Sequence, residues 1–251
     1  METRISIKIN GASYPAETGE FILAVAKRAR VPIPTLCHHE GLPGQGCCRV
    51  CLVEVSENGR AKIVTACVYP VTDGLEVFTN TDRVEAVRRR NLALLRLRAP
   101  EAERVRQLCA FYKVPDDGRF EAMAGERCVL CGLCARACLS LGTGAISTVN
   151  RGVTKKIAPP YEEAPESCIG CGSCAASCPT NAIPMEQTPE TRTIWGRAFA
   201  MRRCPQCGEP FTTEEAARHT AGLTGQEAAV FCPRCRQERT GAAMRDVYGR
   251  P

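Results

Sequence analysis

Cys128-Val129-Leu130-Cys131-Gly132-Leu133-Cys134-Ala135-Arg136-Ala137-Cys138 sets four cysteines at C-x2-C-x2-C-x3-C spacing. Forty residues on, Cys168-Ile169-Gly170-Cys171-Gly172-Ser173-Cys174-Ala175-Ala176-Ser177-Cys178 repeats the spacing, and Gly132 matches Gly172. Two further groups flank this pair. Before it stand Cys37-x10-Cys48-x2-Cys51-x15-Cys67, and after it Cys204-x2-Cys207 and Cys232-x2-Cys235. Cys47 and Cys109 are left over from the 18 cysteines of the 251-residue chain, which has only 13 aromatic residues (one Trp, five Tyr, seven Phe). So little aromatic bulk with so many thiols implies several small modules held by cross-links rather than one large apolar core. The longest apolar run is Phe21 to Ala26, too short to span a membrane. Met1 to Asn10 alternates as a strand and has no signal-peptide pattern, so a reducing cytoplasmic location is expected. Thiols there are poor disulfide candidates and good metal ligands.

The chain between the groups reads as an α+β protein. Arg4 to Ile9 and Ala12 to Ala16 flank the hairpin signal Asn10-Gly11, and Phe21 to Ala29 has a helical apolar face. Leu52 to Val55 and Lys62 to Thr65 flank Glu57-Asn58-Gly59, and Leu75 to Phe78 is a last short strand. Asp82 is a plausible N-cap for a helix to Leu97, and a second helix follows Pro100 to about Tyr112. Thr188 to Arg192 reads as a polar linker. These boundaries give four regions: 1–80, a helical linker at 81–125, 126–187, and a tail at 188–251. Arg88, Arg89 and Arg90 form a basic run, usually a solvated face, that could also meet an acidic partner.

Four cysteines on a long glycine-bearing loop after a helix suit a [2Fe–2S] cluster on Cys37, Cys48, Cys51 and Cys67. Cys47 competes with Cys48 by one position, and the phrase Cys48-Arg49-x-Cys51 favours Cys48. His38 and His39 read as surface or supporting residues because four thiols already fill the set, although imidazole ligation or a zinc site are alternatives. The repeated motif is the bacterial two-cluster ferredoxin pattern, in which the fourth cysteine of each copy ligates the other cluster. It assigns one [4Fe–4S] cluster to Cys128, Cys131, Cys134 and Cys178, and a second to Cys138, Cys168, Cys171 and Cys174; two zinc knuckles are the alternative. Cys204, Cys207, Cys232 and Cys235 are spaced as a structural Zn²⁺ ribbon, with an iron site as the rival.

Two stretches carry a family resemblance. Ile33 to His39, Gly46 to Val55 and Ala66-Cys67 with Pro70 to Gly74 resemble the plant-type, β-grasp [2Fe–2S] domain of the iron–sulfur-rich subunits of complex I, NAD-linked hydrogenases and formate dehydrogenases. Cys131 to Cys138, with Gly142 and Gly144 before Ala145-Ile146, looks like the first two-cluster motif of the same subunits. The one-His, three-Cys segment of many such relatives is missing, since Thr81 to Arg127 contains Cys109 and no His. The resemblance implies a β-grasp domain and a dicluster ferredoxin domain, to which the helix pattern adds a helical linker and the last cysteine spacing a small zinc-ribbon tail. It also implies a non-catalytic electron-transfer subunit of an oxidoreductase complex. Its partners would be a flavin-containing NAD(P)H-oxidising subunit, a further catalytic subunit and, in bifurcating assemblies, ferredoxin. A freestanding polyferredoxin shuttle, a succinate-dehydrogenase-like iron–sulfur subunit and a redox-sensing regulator are the alternatives.

No G-x-G-x-x-G or P-loop fingerprint appears, and no Ser/His/Asp or paired-carboxylate arrangement is evident. The formal net charge of +6 assumes neutral thiols. Each four-thiolate site nets about −2, so four sites would bring the total to about −2. The apparent basicity is therefore weak evidence for a nucleic-acid partner.

Overall fold

Alternation in Arg4–Ile9 (β1) turns Ile7 and Ile9 inward. Asn10 and Gly11, both at positive φ (50° and 87°), reverse the chain into Ala12–Glu17 (β2), as an Asn-Gly hairpin requires. The computed structural model describes residues 4–57, 59–116 and 118–249. Strands Leu52–Glu57 (β3) and Arg60–Thr65 (β4) pair antiparallel; the expected turn residue Asn58 lies outside the described residues. Glu76–Phe78 (β5) runs parallel to β1 and antiparallel to β3, giving a mixed sheet in the order β2-β1-β5-β3-β4. Helix Ile22–Arg28 (α1) buries Ile22, Leu23, Val25 and Ala26 against Ile7, Ile9, Val53, Val55 and Val77.

Helices Asp82–Arg98 (α2) and Glu103–Phe111 (α3) follow. The N-cap of α2 is Thr81, whose hydroxyl accepts from the Val84 N–H at 3.2 Å, and Asp82 is the first helical residue. A hydroxyl capping two or three residues ahead is favoured, and Asp82 then adds negative charge at the positive helix end. The two helices form no free-standing linker. Leu92, Ala99, Ala102, Val105, Leu108 and Cys109 make one core with Leu36, Cys37, Cys48 and Val50 of the first cysteine loop and with Val129, Cys131 and Leu133. Cys109 is buried there, its thiol donating to the Leu92 carbonyl at 3.6 Å.

The basic run divides. Arg90 is exposed, and half-buried Arg89 pairs with Glu85 at 2.5 Å. Arg88 is fully buried, which corrects its reading as part of a solvated face. Its guanidinium donates to the carbonyls of Val50 (3.1 Å), Leu52 (2.6 Å) and Thr79 (3.2 Å) and lies 5.1 Å from the Tyr112 ring centroid. The periodicity of α2 places position 88 on the apolar face with Val84 and Leu92; backbone carbonyls take its Nε and Nη2, and Nη1 has no hydrogen-bond partner among the described residues.

The chain falls into two compact units: residues 1–136 with 177–182, and residues 137–176 with 183–251. Helix Leu133–Ser140 (α4) contains the boundary. The second unit holds the small ladder of Ser147–Val149 (β6) and Lys156–Ala158 (β7) and the short helix Ser173–Ala176 (α5). A four-stranded antiparallel sheet follows, from Met185–Gln187 (β8), Thr191–Ile194 (β9), Arg197–Arg203 (β10) and Pro210–Thr213 (β11), in the order β11-β10-β9-β8. Helices Glu214–Thr224 (α6) and Pro233–Tyr248 (α7) complete it. Thr188 to Arg192 is therefore a tight hairpin rather than a linker: the Thr188 hydroxyl accepts from the Glu190 and Thr191 N–H groups at 3.2 and 3.0 Å. Polar Thr-Pro-Glu-Thr chemistry suits such a turn as well as it suits a linker. Among the described residues no helix is long and apolar enough to cross a membrane.

Replacing Arg88 by Leu leaves three buried carbonyls without their donor. The expected cost is about 3 kcal/mol, read as a lowered midpoint in denaturant unfolding. A loss under about 0.5 kcal/mol would show that Arg88 does not hold β3 to α2.

Candidate iron–sulfur and metal centres

Three cysteines of the first group lie on the loop between α1 and β3, and the fourth, Cys67, follows β4. Cys37, Cys48, Cys51 and Cys67 are all buried, whereas Cys47 is exposed and donates its thiol to the Cys131 carbonyl at 3.3 Å. The loop passes so close to Cys67 that a Cβ on Gly44 would lie 2.7 Å from the Cys67 carbonyl oxygen, which demands glycine. Arg136 clamps the loop by donating to the carbonyls of Pro43 and Cys37. The thiols of Cys47, Cys48 and Cys67 hold Cys37 far below the ordinary thiol range. The Cys37 thiolate in turn drives Cys48 and Cys67 upward. Cys51 is likewise lowered, chiefly by a hydrogen bond from Cys67. With Cys48 and Cys67 driven up, ionisation of the whole set requires cations among the sulfurs. Soft thiolates of this kind fit iron–sulfur chemistry. Cys47 also reaches Cys37, so burial and not distance separates it from Cys48. His39 uses Nδ1 to accept from the Gly41 N–H at 3.1 Å, tying it to loop geometry.

The repeated motifs are brought together crosswise. Cys178 belongs to the same compact unit as Cys128, Cys131 and Cys134, and its charge bears on all three. Burial pushes Cys131 up to about 11 and Cys134 up to about 12, so these thiols stay protonated at neutral pH without a metal. Backbone N–H groups of Leu130 and Ala182 point at the sulfurs of Cys128 (3.4 Å) and Cys178 (3.2 Å). In the second unit Cys138, Cys168, Cys171 and Cys174 line one cavity, closed on another side by Ile194 and Trp195. The Ala145 N–H reaches the Cys138 sulfur at 3.2 Å. Each set of four cysteines thus has backbone N–H donors on its sulfurs, the environment that stabilises and tunes an iron–sulfur cluster.

The fourth group is the tightest. Sulfurs of Cys204, Cys207, Cys232 and Cys235 all lie within 4.8 Å of one another, with Cys207 and Cys232 at 3.7 Å. A tetrahedral metal with bonds of about 2.3 Å gives sulfur–sulfur edges of about 3.8 Å, so the cradle suits such an ion. Although burial opposes it, backbone N–H groups including those of Cys232 and Cys207 bring Cys204 down to about 6. Cys232 also caps α7, its sulfur accepting from the Cys235 N–H at 3.5 Å.

Sequence reasoning missed what surrounds the third group. Trp195, Arg192 and Arg197 come from the tail's sheet and reach the Cys168–Cys174 loop. The signal was Trp195-Gly196, a turn pair between two strands carrying the chain's single tryptophan.

Comparison with known proteins agrees with the donor sets. A 2Fe-2S iron–sulfur cluster binding domain matches residues 2–82, and a 4Fe-4S binding domain matches residues 162–183. The chain therefore carries ferredoxin-type iron–sulfur domains of both kinds. It is 29% identical over 232 residues to an NADH-quinone oxidoreductase subunit of Rhizobium meliloti (strain 1021), covering 81% of this chain and 27% of that protein. It is 34% identical over 187 residues to the NADP-reducing hydrogenase subunit HndD of Solidesulfovibrio fructosivorans, covering 63% of this chain and 32% of that one. Among solved structures, an NAD+-reducing [NiFe]-hydrogenase in the H2-reduced state matches with a TM-score of 0.54 at 27% identity, covering 62% of this chain and 75% of that chain. The chain spans about a third or less of the length of these two curated relatives.

The burial contrast at Cys47 and Cys48 has a direct readout. Cys48→Ser should abolish the two-iron EPR signal of the reduced protein, and Cys47→Ser should leave it. The opposite pattern would make Cys47 the ligand.

Proposed function

We propose that this chain is an electron-transfer subunit of a multisubunit NAD(P)-linked oxidoreductase. The observation that carries this reading is the gathering of three separate four-cysteine groups on one chain of ferredoxin-type domains. In this reading Cys37, Cys48, Cys51 and Cys67 hold a [2Fe–2S] cluster in a β-grasp domain. Cys128, Cys131, Cys134 and Cys178 hold one [4Fe–4S] cluster, and Cys138, Cys168, Cys171 and Cys174 the other. Cys204, Cys207, Cys232 and Cys235 hold a structural Zn²⁺ in a ribbon-like tail. Bound clusters would supply one-electron carriers. The protein's own part is to provide thiolates, N–H donors to sulfur and a water-poor surround.

The relatives' names support the choice of complex: NADH-quinone oxidoreductase and NADP-reducing hydrogenase subunits. A third, the alpha subunit of an NADPH-Fe(3+) oxidoreductase from Geobacter sulfurreducens, is 26% identical over 239 residues, covering 86% of this chain and 28% of that protein. We accordingly assign the partners as a flavin subunit that oxidises NAD(P)H and a catalytic subunit or ferredoxin, and the compartment as the cytoplasm.

Metal analysis of anaerobically purified native protein should give about ten iron and one zinc per chain, from one two-iron, two four-iron and one zinc site. Iron near six would remove one four-iron assignment. Affinity capture under anaerobic conditions should bring down a flavoprotein in stoichiometric amount, and recovery of the chain alone would overturn the complex.

A further inference from the structure

The tail sheet has more to do than hold its own metal knot. Its β9–β10 hairpin lies on the loop that carries Cys168, Cys171 and Cys174, within the second compact unit. Arg192 donates from one guanidinium nitrogen to the carbonyls of Gly170 and Cys171, both at 2.9 Å. Arg197 donates to the carbonyls of Pro165, Glu166 and Cys168 at 2.7, 2.8 and 3.0 Å. Phe199, 1% exposed, packs so closely on Gly170 that a Cβ there would lie 2.5 Å from its ring. From the next strand, the Thr213 hydroxyl donates to the Ile169 carbonyl at 2.6 Å. On α6, His219 Nε2 lies 2.6 Å from the Leu141 carbonyl, in the loop that follows Cys138. The tail thus grips both segments that bring sulfurs to this site.

Trp195 sits at the turn of the hairpin, where its ring closes the cavity over the four sulfurs. Its backbone is held at φ 54°, a left-handed conformation disfavoured for a bulky residue, and Gly196 follows at φ 76°. The buried indole N–H has no hydrogen-bond partner among the described residues, at the edge of a cavity lined by four sulfurs. Strand β10 leads from this turn straight into Cys204, so the knot of four cysteines anchors the far end of the strand that presents the cap.

We infer that the tail is a cap for the site of Cys138, Cys168, Cys171 and Cys174: Trp195 closes the cavity, offers its unpartnered N–H to the sulfurs of a cluster there and excludes solvent, while Arg192 and Arg197 set two positive charges beside the cysteine loop. This rests on the reading that the site holds a [4Fe–4S] cluster. An N–H donor to a ligand sulfur and nearby cations both stabilise the more negative, reduced state of such a cluster, and the indole blocks access of water and oxygen. The tail is then part of the electron carrier rather than a nucleic-acid arm.

The test uses full-length holoprotein handled anaerobically. Trp195→Phe keeps most of the ring volume and removes the N–H. EPR-monitored redox titration should show the midpoint potential of one four-iron cluster moving to a more negative value, with the other two clusters unmoved. On exposure to air that same cluster should bleach several-fold faster. An unchanged potential, or an equal shift of all clusters, would overturn the cap. Fluorescence keeps the two readings apart, because Trp195 is the only tryptophan. Cys168→Ser should lower iron by about four per chain and raise tryptophan emission several-fold by removing the adjacent quencher. Iron lost without a rise in emission would refute the cap alone, and iron unchanged would refute the cluster assignment beneath it.

Discussion

Buried thiols that face one another cannot all ionise unless cations lie among them, and the architecture follows from that electrostatic constraint. At the first group Cys37 is held down by its neighbours' S–H donors and Cys51 by a hydrogen bond from Cys67, while the Cys37 thiolate suppresses ionisation of Cys48 and Cys67. At the second, burial is the main cause that raises Cys131 and Cys134. These sulfurs are poor neighbours for one another and good ones for iron or zinc, whose binding is therefore folding energy as well as function. The loops that carry them can be short of apolar side chains because the metal supplies the cross-link.

The remaining structure keeps those loops in register. In the first unit, α2 and α3 join the Cys37–Val50 loop and the Val129–Leu133 loop in one core, with Arg88 pinning Val50 and Leu52 on either side of Cys51. Arg136 and the Cys47 thiol add direct ties between the two cysteine loops. In the second unit the same role falls to the tail, whose arginines bind loop carbonyls that no secondary structure satisfies. In both units a guanidinium is the tool, because its planar fork can serve several backbone acceptors at once.

The cysteine groups and the first hairpin were legible because spacing and Asn-Gly chemistry are local. The crossed pairing of Cys138 and Cys178 was expected from the motif repeat, and the structure brings those residues to those partners. Arg88 was misread because a run of three arginines resembles a solvated face; its burial depends on helical phase and on carbonyls some 36 and 38 residues earlier in the chain. Thr188–Arg192 was misread because turn and linker share one composition. The closure of the third site by Trp195 could not be read from spacing at all, since it joins a strand turn to a cysteine loop through tertiary packing.

The central claim is that one chain carries one two-iron and two four-iron clusters. Mössbauer spectroscopy of ⁵⁷Fe-enriched, anaerobically prepared protein tests it most directly. The account requires two-iron and four-iron components in an iron ratio of about 1:4. A spectrum lacking the four-iron component, or one with a ratio near 1:2, would contradict it.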